Sequence, residues 1–208
     1  MNVNTQRLSL AGAAGAIEAL RDDPPAGVAH RGTAVIAHPH PLYGGTMQNK
    51  VVQTLARAFV QGGWSAVRFN FRGVGASAGT YHDGRGEALD LQEVIQAVAP
   101  EGALSIAGFS FGAFVACRAA VALWPTRPLE RLVLVGTAAS RFDLPPLPAE
   151  AQERILVIHG EQDETVPLTA VLDWARPQTL PVTVIPAGEH FFHGQLPLLK
   201  SLVVRHLR

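Results

Sequence analysis

Residues 104–120 read LSIAGFSFGAFVACRAA: an apolar run of strand length, a serine framed by glycines, then an alanine-rich run of helix length. Gly108, Ser110 and Gly112 form the pattern Gly-x-Ser-x-Gly. A serine on a very tight strand-to-helix turn is held clear of its sheet in a strained backbone, and its neighbours can carry almost no side chain. The pattern recurs by chance in many chains. Its position between a strand and a helix is what makes Ser110 a candidate nucleophile here, because the helix amino end also favours developing negative charge. The competing reading is that Ser110 only caps the helix.

Outward from this stretch, strand-like and helix-like segments alternate. Towards the amino end lie strand candidates at 32–37 and 65–70 and helix candidates at 51–60 and 86–99, each helix with apolar residues on one face. Towards the carboxyl end come strands at 131–136, 154–159 and 181–185 and helices at 168–175 and 192–207. Strands apolar throughout, alternating with helices, predict an α/β fold with a mostly parallel eight-stranded sheet covered by helices on both faces. The segments at 5–10 and 15–21 have no helix between them and are expected to pair antiparallel at one edge. At 208 residues the chain predicts a single domain, 1–208. In open sheets of this kind the ligand site lies beyond the carboxyl ends of the strands. That rule selects the loops at 38–46, 71–82, 109–112, 137–148, 160–167 and 187–194.

Serine needs a base to take its proton at neutral pH. His190, in VIPAGEHFFHG after the last strand, is the candidate, with His193 as competitor. Asp163, in VIHGEQDETVP, is the candidate for orienting His190 and stabilising its imidazolium, with Glu161 and Glu164 as possible substitutes. The chain order serine, acid, histidine is that of hydrolases with this kind of serine turn. One oxyanion donor is expected to be the N–H of Phe111. The other should come from HPHPLYGG, where Pro39 and Pro41 have no N–H, leaving His40, Leu42 and Tyr43. His38, His40, His190, His193 and Asp163 could also be imagined as a metal site; that reading leaves the serine turn without a purpose, and His38 or His40 bracing the loop is preferred.

The charge balance, 17 Lys and Arg against 17 Asp and Glu, offers no concentrated basic surface for nucleic acid. Cys117 is the only cysteine, so no intrachain disulfide or cysteine metal cluster can form, and it is expected to be buried packing. The N-terminal stretch does not read as a leader, and no uncharged apolar run is long enough to cross a bilayer. A cytoplasmic enzyme with no cofactor, no metal and no membrane association is expected, its partner a small-molecule acyl substrate.

At these residues the chain resembles the α/β-hydrolase superfamily, most closely its lidless bacterial serine hydrolases similar to dienelactone-hydrolase-like proteins, over nearly all of residues 30–208. His40, Pro41 and Leu42 match the family's His-Gly-apolar loop, with proline for glycine, and on that resemblance Leu42 is the second oxyanion donor. NFRGVGAS matches the family's Asp-x-Arg-Gly-x-Gly-x-Ser, with Asn70 for aspartate; the resemblance implies a structural role for Arg72. Ser110, Asp163 and His190 match nucleophile, acid and base. Dienelactone hydrolases use cysteine, so their substrate is not carried over. Only about a dozen residues, 138–149, stand where many relatives have a helical lid, so the site is expected to be open. The expected reaction is ester or thioester hydrolysis through an acyl-serine, with small-peptide hydrolysis, or a binding protein that has lost its chemistry, as alternatives.

Overall fold

The computed structural model describes residues 5–208; the first four, part of the stretch read above as carrying no leader, lie outside them. Eight strands form one sheet in the order β1-β2-β4-β3-β5-β6-β7-β8. β1 (Gln6–Gly12), β2 (Gly15–Asp22) and β4 (Trp64–Phe69) are joined by antiparallel pairings. β3 (Gly32–Ala37), β4, β5 (Leu104–Phe109), β6 (Arg131–Val135), β7 (Ile155–Gly160) and β8 (Val182–Ile185) run parallel. The chain thus forms the expected three-layer α/β architecture with an antiparallel edge pair.

Alternation along each strand explains the layers, because successive side chains point to opposite faces. On β5, Leu104 and Ile106 join the core beneath α2 (Arg85–Val98), α3 (Phe111–Leu123) and α4 (Leu168–Ala175), with Leu91, Val94 and Val171. Ala107 and Phe109 join the opposite core, beneath α1 (Lys50–Gln61) and α5 (Leu196–His206), with Val52, Leu55 and Leu199. Both faces being covered is why the central strands carry no polar stripe.

Most element boundaries agree with the sequence reading to within a residue or two, and the final helix is the exception. It begins at Leu196 rather than 192. Phe192 and Gly194 adopt positive φ angles of 54° and 73°, a left-handed backbone that ends any helix passing through it. The segment around 138–149 holds no lid: a turn bonded at Ala138 leads into extended chain, followed by a 3₁₀ helix at Ala149–Arg154 that the periodicity did not signal.

Candidate active site

Because β3 and β5 are neighbours, with Ala37 level with Gly108, the loop after β3 rises beside the turn that carries Ser110. Ser110 has φ 57° and ψ −118°, the strained turn anticipated from the glycine pattern. Its N–H is tied to the Val135 carbonyl at 2.8 Å, which anchors the turn against β6. Glycine is demanded on both sides: a Cβ at 108 would lie 2.2 Å from the Gly112 oxygen, and one at 112 would lie 2.4 Å from the Ala37 oxygen.

Ser110, His190 and Asp163 form an unbroken chain of hydrogen bonds. Ser110 Oγ lies 3.0 Å from His190 Nε2, and His190 Nδ1 lies 2.7 Å from Asp163 Oδ2. With Nδ1–H donated to the carboxylate, Nε2 is left as acceptor for the serine proton, the tautomer a general base needs. The other carboxylate oxygen, Oδ1, accepts the N–H groups of Thr165 at 3.0 Å and Val166 at 2.7 Å. All three residues are buried, and Phe109 packs its ring 5.0 Å from the His190 ring. The imidazole is thereby held by packing as well as by its partners.

The competitors occupy other positions. His193 pairs with Glu189 at 2.9 Å on the exposed surface. Glu161 accepts the N–H of Ala187, which stitches the acid loop to the histidine loop, and Glu164 is exposed. His38 is fully buried: Nδ1–H donates to the Pro39 carbonyl at 2.6 Å and Nε2 accepts the Phe71 N–H at 3.0 Å. Both ring nitrogens being committed to backbone, His38 braces the first loop against the chain after β4, and burial pushes its pKa down to about 4. Among the described residues, no three His, Cys, Asp or Glu side chains gather as a metal site. Arg72 is bound to Asp90 of α2 at 2.7 Å, the structural role expected of it.

Leu42, the expected second oxyanion donor, lies in the loop after β3. Pro41 opens a 3₁₀ turn, Pro41–Tyr43, that folds the Leu42 N–H back onto His40 Nδ1 at 3.2 Å. That donor is engaged, and the residue is 67% exposed. The N–H groups of His40 and Phe111, by contrast, donate to no acceptor among the described residues.

Ser110 and His190 open into a cleft of about 570 Å³ whose walls include His40, Tyr43, Phe111, Arg141, Phe142 and Phe191. A second hollow of about 550 Å³, beside Arg57 and Lys200 on the α1 side, contains none of this chemistry. Phe192 is fully buried beneath α5, whereas Phe191 is 45% exposed at the cleft rim. Sequence reasoning passed over two contributors. His159 of β7, fully buried, donates from Nε2 to the Val166 carbonyl at 2.9 Å and approaches Asp163 Oδ2 at 3.5 Å, closing the acid loop from below. Its signal was a polar residue near the end of an otherwise apolar strand. Arg141 had no signal, since it stands alone in an irregular loop.

A serine turn, a histidine and a buried carboxylate in this order on this sheet define a serine hydrolase of the α/β-hydrolase class. Residues 24–143 match the family described as X-Pro dipeptidyl-peptidase (S15 family). An α/β serine hydrolase without lid from Xanthomonas campestris is 38% identical, with 100% of this chain and 95% of that chain covered and a TM-score of 0.89. An α/β serine hydrolase homologue from Coxiella burnetii is 36% identical over 98% of this chain and 97% of that one, TM-score 0.82. An uncharacterized protein of Rickettsia prowazekii is 44% identical over 87 residues, 40% of this chain and only 37% of that protein's length. The chain belongs to the α/β-hydrolase superfamily, in its lidless serine hydrolase branch.

Proposed function

We propose that the chain, as a single hydrolase domain, cleaves carboxylic esters or thioesters of small acyl groups through an acyl-enzyme on Ser110. The carrying observation is the continuous Ser110–His190–Asp163 hydrogen-bond chain opening into the cleft. His190 Nε2 takes the Ser110 proton as Oγ attacks the carbonyl carbon. The resulting oxyanion accepts the N–H of Phe111 and, in place of Leu42, that of His40, which supplies preorganised donors where charge develops. The imidazolium, stabilised by the Asp163 carboxylate, protonates the leaving oxygen or sulfur. Water then gives its proton to His190, attacks the acyl carbonyl and releases the acid, and the proton returns to Ser110. A cytoplasmic location is part of the same proposal.

The match to a dipeptidyl-peptidase family supports a second reading, cleavage of a short peptide. That match ends at residue 143, before Asp163 and His190. An enzyme removing dipeptides from a free amino terminus needs an acidic group to hold the ammonium, and no Asp or Glu lines this cleft among the described residues. The ester reading is therefore preferred.

Fluorophosphonate labelling with the adduct located by mass spectrometry tests the proposal. Expected is labelling at Ser110 that is lost in Ser110→Ala and His190→Ala and kept in His193→Ala, with turnover of p-nitrophenyl esters and none of Xaa-Pro p-nitroanilides. A folded protein that neither labels nor turns over esters would overturn it.

A further inference from the structure

The walls of the cleft differ in chemistry, and His190 tells which wall faces which half of the substrate. Since His190 must protonate the leaving atom, the leaving group lies along the His190 side, where Phe191 and Val166 line the cleft. The acyl group then lies against the wall built from His40, Phe111 and Phe142. Those three rings pack on one another, Phe142 lying 5.3 Å from Phe111 and 6.1 Å from His40. Arg141 immediately precedes Phe142 in a turn fastened by the N–H groups of both residues to the Ala138 carbonyl, each at 3.2 Å.

Arg141 is the only charged side chain among the cleft-lining residues apart from the ionisable histidines. It is exposed and forms no ion pair or side-chain hydrogen bond among the described residues. The other cations near functional segments are committed, Arg72 to Asp90 and Arg68 to Asp22. Its charge also reaches the site: burial is the first cause of the lowered pKa of His40, and Arg141 is the second, with Asp83 opposing. An unpaired guanidinium at the mouth of an aromatic-walled cleft is a fork of donors shaped for a carboxylate.

We infer that the cleft is selective for acyl groups that end in a carboxylate, half-esters or half-thioesters of short dicarboxylic acids, with the apolar spacer against Phe111 and Phe142 and the distal carboxylate on Arg141. This deepens the proposed hydrolase function and rests on it. The reaction is unchanged: the ester bond breaks, the acyl carbon passes to Ser110 Oγ and then to water, and the distal carboxylate takes no part in bond making. It contributes binding at a distance from the reacting carbon, the kind of interaction that sets specificity between substrates of equal reactivity.

The experiment compares mono-p-nitrophenyl esters of succinic, glutaric and adipic acid with neutral p-nitrophenyl alkanoates of matched length, each corrected for spontaneous hydrolysis. The wild type should favour the best acid half-ester by about three- to fivefold in kcat/KM, mainly through KM, as one exposed charged contact provides. The ratio of acidic to neutral substrate should fall by about three- to fivefold in Arg141→Gln, recover only in part in Arg141→Lys, which keeps the charge without the fork, and shrink as salt is raised. Because Arg141 is exposed, these variants keep the fold, which circular dichroism checks. Turnover of neutral esters with no preference for the acid half-esters, or a preference that Arg141→Gln leaves intact, would overturn the selectivity and leave the serine hydrolase standing. Absence of turnover on every ester would overturn both.

Discussion

His38 never meets substrate, yet its two bonds hold together the loops on one side of Ser110. Its Nε2 accepts an N–H, so the ring must be neutral, which agrees with its pKa being pushed down to about 4 from 6.5. The unfolded chain therefore binds the proton that the folded chain refuses between about pH 6.5 and 4. The stability contributed by a neutral His38 is complete above pH 6.5 and is lost as pH falls through that window. Urea titrations at pH 7 and pH 5 should differ by about 2 kcal/mol on this account, and buried His159, also lowered first by burial, adds in the same direction. A flat profile over this range would mean that His38 accepts the proton without losing its bonds. At the same scale, Asp163→Asn keeps the shape of the acid loop but favours the wrong imidazole tautomer; kcat should fall about 10³- to 10⁴-fold with fluorophosphonate labelling slowed in parallel. Ser110, His190 and Asp163 were legible because each chemistry needs a particular residue type at a strand end. The direction of the Leu42 amide was not legible, because its path through a 3₁₀ turn depends on local dihedrals that residue identity does not specify.

Among the elements, α3 carries the most constrained packing. Its first turn approaches the end of β3 so closely that Gly112→Ala forces a methyl into the Ala37 and His38 carbonyls. Such overpacking against backbone should cost about 1–3 kcal/mol and shift Ser110, so thermal unfolding and labelling rate should both suffer. Further along the same helix Cys117 is fully buried, and burial pushes its thiol pKa up. Native protein should leave a disulfide reagent such as DTNB unreduced for as long as it stays folded, releasing one equivalent of thiolate only in denaturant. Strands and long helices were readable because apolar periodicity over six to fourteen residues reports burial directly. The start of α5 was not, because Phe192 is left-handed, and a phenylalanine gives no local warning of that conformation.

At the scale of the whole fold, one sheet covered on both faces leaves the catalytic edge open, with no helix among the described residues over Ser110. Leu42, Tyr43 and Phe191 stand exposed around the cleft. With no lid to displace, activity on an ester of increasing concentration should rise smoothly through the concentration at which the substrate forms micelles; a sharp step there would reveal a closed state. No helix of the described residues is long and apolar enough to cross a membrane. The sequence by itself determined the order of strands and helices, the serine turn and the three reacting side chains, since burial period and chemical necessity are written in residue type. Only the tertiary structure decided that the Leu42 N–H turns onto His40, that His159 closes the acid loop, and that Arg141 reaches the cleft. The last two depend on loops brought together from distant parts of the chain, where packing across the sheet edge, and no local pattern, sets position.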